Sequence, residues 1–151
     1  MMGALAMTVL IFLSTDCPVS NRYAPEIKRL HQEFTARGLR FQLVYPNPLD
    51  DAAAIRRHVQ EYGYPDIARP DRDHALVKTA GATITPEAVV FDAQQRIVYR
   101  GRIDDRFVEL GRERAAATQH DLRDALTAVL AGRPVSSPRT QAVGCFIADM
   151  K

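Results

Sequence analysis

Apolar residues follow two different spacings along this chain, and these spacings predict alternating strands and helices. Thr8 is followed by five consecutive apolar residues, and the run of residues 8–13 is typical of a buried strand. Apolar positions then recur every three or four residues over residues 19–34, which predicts a helix that ends near Gly38. Residues 39–45, which are apolar except for Arg40 and Gln42, predict the next strand. Because a helix connects these two strands, we expect them to be parallel and joined by a right-handed crossover.

The middle of the chain carries two further helical patterns. Asp50 or Asp51 can cap the first helix, because a short carboxylate there accepts a hydrogen bond from the first helical turn. A short helix over residues 73–80 is predicted to end at Gly81. The inner face of the first of these helices is predicted to carry Ile55, Val59 and Tyr62.

The last part of the pattern predicts a strand hairpin and a closing helix. Residues 88–91 and 97–103 are β-rich runs separated by a turn, so we expect them to pair antiparallel. Residues 104–117 are predicted to be a polar loop, and a final helix to begin at Thr118 or His120. The order β, α, β, α, short α, β, β, α predicts an α/β fold with a central mixed β-sheet flanked by helices.

The composition excludes several classes of protein. Of the 151 residues, 46% are hydrophobic and 25% charged, as in a single soluble domain. The 20 basic and 18 acidic residues are spread along the sequence, whereas a nucleic-acid-binding protein needs a concentrated basic face. The apolar start of the chain is too short for a membrane span and lacks the basic residues of a signal peptide. We therefore expect no nucleic-acid partner and no membrane span.

The chain has two cysteines, Cys17 and Cys145, which are too few for a disulfide scaffold. They are far apart in sequence and can meet only if the C-terminal tail folds back. We accordingly divide the chain into a domain of residues 1–132 and a tail of residues 133–151 that carries Cys145. Two thiols fit a cytoplasmic protein and also an exported protein whose leader is absent from this chain, so the localisation stays unknown.

Cys17 lies where the first predicted strand is followed by a helix. Unpaired N–H groups and the helix dipole favour a negative charge at such a position, and Arg22 lies one turn further on. The adjacent Asp16 has the opposite effect, since one carboxylate disfavours a second anion beside it. Because the thiolate is the reactive form of cysteine, two interpretations stay open: a reactive nucleophile, or an inert cysteine buried at a strand end.

The sequence resembles the redoxin group of the thioredoxin-like fold, which includes alkyl hydroperoxide reductase and thiol-specific antioxidant (AhpC/TSA) proteins. Ser14, three positions before Cys17, matches the Ser or Thr that precedes a peroxidatic cysteine. Two positions depart from the family pattern: Leu10 stands where peroxiredoxins usually have proline, and Ser20 where thioredoxin-type enzymes have a second cysteine. The resemblance is carried by DCPVSNRYAPEIKRLH, GATITPEAVVFDAQQRIVYRGRIDD and HDLRDALTAVLAGRPV.

The resemblance implies catalytic and substrate-binding roles for particular residues. Cys17 is expected to be the nucleophile, with Ser14 as a further catalytic residue. Thr85 and Pro86 are expected to bind substrate beside it through a cis peptide bond, although X-Pro bonds in general are cis only about 5–6% of the time. Cys145 is expected to be a resolving cysteine, which condenses with oxidised Cys17 in the same chain or in a partner.

These expectations describe a thiol-dependent oxidoreductase with antioxidant (peroxiredoxin-like) or thiol–disulfide exchange activity. It would act on a peroxide or a disulfide, receive electrons from a thioredoxin-like reductant, use no cofactor, and be compatible with a homodimer. Arg102, at the end of the last predicted strand, is expected to bring positive charge to the substrate. The alternatives are a binding module without turnover, and a copper-binding protein with Cys17, Cys145 and His120 as ligands.

Overall fold

The computed structural model describes residues 7–147, which form nine strands and five helices. The first six residues of the predicted domain and the last four of the predicted tail lie outside the described residues. The strands are β1 (Thr8–Phe12), β2 (Arg40–Tyr45), β3 (Ala68–Pro70), β4 (Ile84–Thr85), β5 (Glu87–Phe91), β6 (Ile97–Gly101), β7 (Phe107–Glu109), β8 (Arg112–Glu113) and β9 (Cys145–Phe146). The helices are α1 (Pro18–Arg22), α2 (Ala24–Thr35), α3 (Ala52–Tyr62), α4 (Ala75–Ala80) and α5 (Asp121–Leu130).

Five strands form the central sheet, in the order β3-β2-β1-β5-β6. β1 pairs in parallel with β2, and β2 in parallel with β3. β5 runs antiparallel to both β1 and β6. The predicted mixed sheet, its parallel first pair and its antiparallel hairpin are therefore confirmed.

β1 lies in the middle of this sheet and sends its side chains alternately into two apolar layers. Val9 and Ile11 belong to the larger buried cluster, which also contains side chains of α2 and α5. Leu10 and Phe12 belong to a smaller cluster that contains side chains of α4. Burial on both faces explains why this strand is continuously apolar from Val9 to Phe12 rather than alternating.

The single helix predicted after Cys17 is two helices, α1 and α2. The break falls at Tyr23, which ends α1 and precedes α2. Pro25 occupies the first turn of α2, where a proline needs no N–H, whereas inside a continuous helix it would remove a hydrogen bond and clash with the preceding turn. α1 is therefore a separate short helix that directly follows the cysteine.

Short extended segments account for the other differences from the predicted elements. The predicted polar loop over residues 104–117 contains the β7–β8 hairpin, and the tail contains β9. Strands of two or three residues are too short to show a hydrophobic period. Of the two predicted caps, Asp51 caps α3 by accepting a hydrogen bond from the Ala54 N–H (2.8 Å), which leaves Asp50 for another contact.

Candidate active site

Cys17 ends the loop of residues 13–17, here termed the cysteine loop, which joins β1 to α1. Its carbonyl accepts a hydrogen bond from the Asn21 N–H (3.0 Å), so it is fixed to the first turn of α1. Only 1% of Cys17 is exposed, and its Sγ–H donates to the carbonyl oxygen of Thr85 at 3.4 Å. Its burial fits the interpretation of an inert cysteine at a strand end. Its contact with Thr85 fits the interpretation of a reactive nucleophile beside the Thr85–Pro86 segment.

Thr85 and Pro86 are joined by a cis peptide bond, as the resemblance implies. Both residues are buried, and β4 is held by a carboxylate from the start of β5. Glu87 Oε1 accepts hydrogen bonds from the N–H groups of Thr83 (2.8 Å) and Ile84 (3.2 Å). Glu87 is itself buried, so it is a structural part of the site that sequence reasoning missed. A charged residue beside a Thr-Pro pair gives no sequence signal of burial.

The C-terminal tail returns to this segment and pairs with it. β9 runs antiparallel to β4, with Cys145 opposite Thr85 and Phe146 opposite Ile84. The Thr85 hydroxyl donates to the Cys145 carbonyl (3.5 Å), and the Ile147 N–H donates to the Thr83 carbonyl (2.9 Å). The tail thereby places Cys145 next to Thr85, the residue whose carbonyl contacts Cys17.

The two cysteines are both free thiols, and they differ in exposure. Cys17 is buried, whereas Cys145 is only partly buried. Burial, a hydrogen bond with Cys17 and electrostatic repulsion from Cys17 and Asp16 together raise the pKa of Cys145 to about 12. Cys145 is therefore a protonated thiol at neutral pH, placed next to Cys17.

A buried carboxylate, that of Asp50, holds the cysteine loop through hydrogen bonds to Thr15. Asp50, which is buried, accepts hydrogen bonds from the Thr15 hydroxyl (2.6 Å) and the Thr15 N–H (3.2 Å). Asn21 donates from Nδ2 to the Thr15 carbonyl at 3.1 Å. Both polar groups of the Thr15 backbone are thus satisfied by side chains outside the loop, which fixes the backbone two residues before Cys17.

His58 extends this network into the core. Its Nε2 lies 2.7 Å from Asn21 Oδ1 and its Nδ1 lies 2.8 Å from the Tyr45 hydroxyl. Because an amide oxygen only accepts, Nε2 carries the proton and the Tyr45 hydroxyl donates to Nδ1. Burial lowers the pKa of His58, with opposing effects from Asp50 and Glu61, so the imidazole is neutral in this arrangement. The predicted inner face of α3 is confirmed, since Ile55 is buried and Val59 and Tyr62 pack half-buried against the core, and His58 is buried beside them.

Ser14 lies beside the two cysteines without contacting Cys17 through its hydroxyl. The hydroxyl donates to Asp16 Oδ1 at 2.9 Å, while the Ser14 carbonyl accepts from the Cys17 N–H at 3.4 Å. Ser14 and Asp16 line a cleft of about 260 Å³ together with Thr85 and Cys145. Of the two cysteines, Cys145 lines this cleft.

Arg102 lies on a neighbouring surface, where its charge is already paired. Its guanidinium donates to Asp121 Oδ2 (2.5 Å) and to Gln119 Oε1 (3.0 Å). Arg102 and Pro86 line one narrow cleft, which also contains Tyr23. The structure thus brings Arg102 near Pro86, but among the contacts of the described residues it shows none between Arg102 and either cysteine.

The copper-site alternative needs three ligands at one place. Within residues 7–147 no group of three or more His, Cys, Asp or Glu side chains could hold a metal ion, so Cys17, Cys145 and His120 do not assemble into such a site. In the same part of the chain no helix has the length and apolar character needed to cross a membrane.

Comparison with known proteins places this geometry in context. The family model described as Redoxin matches residues 6–112. A search of curated proteins gives no match. Among solved structures, an uncharacterized conserved protein from Geobacillus kaustophilus is 30% identical, with a TM-score of 0.84 over 94% of this chain and 76% of that chain. A hypothetical protein from Sinorhizobium meliloti 1021 is 26% identical, with a TM-score of 0.82 over 95% of this chain and 80% of that chain.

A more distant similarity concerns the fold alone. A secreted disulfide oxidoreductase from Mycobacterium tuberculosis is 18% identical, with a TM-score of 0.58 over 82% of this chain and 81% of that chain. Together with the mixed five-stranded sheet, this similarity gives the molecule a thioredoxin-like fold.

Proposed function

This chain belongs to the redoxin family, and on that basis we propose that it is a thiol-dependent oxidoreductase with Cys17 as nucleophile and Cys145 as second thiol. Family membership supports a thiol-dependent redox function in general. One observation supports the two-cysteine cycle: β9 pairs Cys145 with Thr85, and the Thr85 carbonyl accepts a hydrogen bond from the Cys17 thiol. Two cysteines separated by most of the chain are thus both neighbours of Thr85.

The first step of the proposed cycle is an attack by the Cys17 thiolate on a hydroperoxide. A sulfur–oxygen bond forms and the O–O bond breaks, so the sulfur is oxidised to a sulfenic acid while the hydroperoxide takes up one proton and is reduced to an alcohol. With a disulfide as oxidant, the thiolate instead forms a mixed disulfide and releases the other sulfur as a thiolate.

The second step joins the two cysteines. The Cys145 sulfur attacks the Cys17 sulfenic acid, a disulfide forms, and the hydroxyl leaves with the Cys145 proton as water. The raised pKa of Cys145 keeps that proton in place at neutral pH until this step. A dithiol reductant of thioredoxin type then takes the disulfide bond and returns both thiols.

The other predicted site residues have supporting roles in this proposal. The Thr85 carbonyl orients the Cys17 thiol, and Pro86, the next residue, lines the cleft that contains Arg102. Ser14 acts through its carbonyl on the Cys17 backbone and through its hydroxyl on the Asp16 carboxylate at the cleft. Arg102 holds the neighbouring surface through Asp121, and we assign it to the binding of a partner or substrate at the Pro86 cleft.

Thiol mapping tests the proposal. Reduced protein is treated with one equivalent of hydrogen peroxide, quenched with a maleimide and analysed by mass spectrometry after proteolysis. We expect a Cys17–Cys145 peptide cross-link in the native chain, a trapped Cys17 sulfenic acid in Cys145→Ser, and no oxidation in Cys17→Ser. An unreactive Cys17 with peroxide and with a small disulfide would leave a binding module as the remaining function.

A further inference from the structure

The tail strand β9 lies on an edge that would otherwise bind extended polypeptide. Among the described residues, β4 pairs only with β9, in a sheet of two strands. An open strand edge next to a reactive group binds an extended chain through main-chain hydrogen bonds. β9 makes such bonds itself, because it runs antiparallel to β4 and sets Cys145 opposite Thr85.

We infer that the tail is a built-in ligand of this edge. By occupying the edge, the tail limits the substrates that can oxidise Cys17 to small uncharged hydroperoxides and excludes polypeptide disulfides. The inference rests on the proposed function of Cys17. It adds the class of substrate, and it identifies Gly144 as the residue on which the selectivity depends.

Gly144 lets the tail approach the edge closely enough to pair. A Cβ atom at this position would lie 2.0 Å from the Thr85 carbonyl oxygen and 2.8 Å from the Thr85 carbonyl carbon. Both are backbone atoms of the Cys17-contacting residue, so they cannot move aside as the end of a flexible side chain does. Any side chain at position 144 therefore forces the tail off β4.

Contacts on both sides of Gly144 hold the tail in place. Before it, the Thr140 hydroxyl accepts from the Arg102 N–H (3.0 Å) and shares a hydrogen bond with the Tyr99 hydroxyl (2.6 Å). A Cβ at Gly101 would lie 2.1 Å from Thr140 Oγ1, so the backbones meet closely here as well. After it, Ile147 is buried in the smaller apolar cluster. The tail is thus anchored as part of the domain.

The space left beside Cys145 suits a small molecule. The cleft of about 260 Å³ next to Cys145 admits a hydroperoxide of a few heavy atoms, whereas an extended chain needs the edge that β9 occupies. Asp16 lines the cleft and is exposed, so its carboxylate disfavours anionic substrates.

An intramolecular competitor of this kind has a calculable effect. A tethered ligand has an effective concentration on the order of 1 mM, so a polypeptide at about 0.1 mM is outcompeted roughly tenfold. Removing the tail from the edge should therefore raise the rate with a polypeptide disulfide by about tenfold or more. The rate with a small hydroperoxide should change much less.

Two oxidants and three variants test the inference. Reduced native chain, Gly144→Ala, Thr140→Val and the exposed tail control Ser137→Ala are mixed with tert-butyl hydroperoxide or with insulin, and loss of the Cys17 thiol is followed by maleimide labelling and mass spectrometry. We expect the insulin-to-hydroperoxide rate ratio to rise at least about tenfold in Gly144→Ala. It should rise less in Thr140→Val, which retains the glycine, and stay unchanged in Ser137→Ala.

The outcomes separate the inference from the function on which it rests. Equal rate ratios in the native chain and both tail variants, with Cys17 reactive in all of them, would overturn the inference alone. Thr140→Val keeps the test valid if Gly144→Ala does not fold, as judged by circular dichroism. A Cys17 that reacts with neither oxidant in any folded variant would instead overturn the proposed oxidoreductase function.

Discussion

Oxidation of the two cysteines should stabilise the whole domain by a large and calculable amount. A Cys17–Cys145 disulfide closes a loop of about 130 residues, for which the loss of chain entropy in the unfolded state gives a stabilisation of about 5 kcal/mol. Strain in the folded state reduces such gains, but here β9 already holds Cys145 opposite Thr85, the residue that Cys17 contacts. We therefore expect an increase in the free energy of unfolding of about 4–5 kcal/mol.

Urea denaturation of the oxidised and the reduced chain measures this quantity. The chain has no tryptophan, so circular dichroism and the fluorescence of its 5 tyrosines report unfolding. With a slope of about 2 kcal/mol per molar urea, the midpoint should rise by about 2 M on oxidation. Cys145→Ser should show no difference between oxidising and reducing conditions. A gain below about 1 kcal/mol, or one that depends on protein concentration, would refute the intramolecular pairing.

Three other changes test the surroundings of the site. Asp50→Asn removes the charge that strengthens both hydrogen bonds from Thr15 and should lower the free energy of unfolding by about 1–2 kcal/mol. In a Cys145→Ser background, a cysteine loop held about 1 kcal/mol less firmly should expose Cys17 more often and accelerate its alkylation by about fivefold or more. An unchanged rate would contradict the role given to Asp50 in holding the loop. Glu87→Ala leaves two backbone N–H groups without their acceptor and should cost about 2–4 kcal/mol in urea denaturation, whereas Glu87→Gln keeps the acceptor and should cost clearly less. The raised pKa of Cys145 means that the folded state retains a proton that the unfolded state loses, so stability should fall as the pH rises from about 9 towards 12; Cys145→Ala should show a shallower fall, and an identical slope would speak against the shift.

The sequence alone predicts the central sheet and the helices around it, because their hydrophobic periods are local. The apolar block of β1 and the helix that follows it, for example, required only the spacing of side chains. The position of Cys17 at the junction of these elements is equally local. The resemblance to redoxins added the cis bond before Pro86, which is confirmed, and the roles of the remaining site residues, which stay predictions.

Only the tertiary structure decides which distant residues meet. Asp50 was a plausible helix cap from its position, but Asp51 caps α3 and Asp50 binds the cysteine loop. Glu87 looks like a surface residue beside a proline, yet two backbone N–H groups require its carboxylate in the interior. Both assignments depend on backbone donors brought together by folding, and these donors leave no trace in the spacing of residues.

The tail shows the same division most clearly. From sequence it is a segment with proline and serine that carries one cysteine, and nothing local predicts a strand in it. Its place on β4 depends on a close backbone approach at Gly144 and on the hydroxyl of Thr140, both of which matter only against surfaces supplied by distant parts of the chain. Local spacing therefore determined the fold and the position of Cys17, whereas non-local hydrogen bonding and close backbone packing placed Cys145 opposite Thr85, the residue that Cys17 contacts.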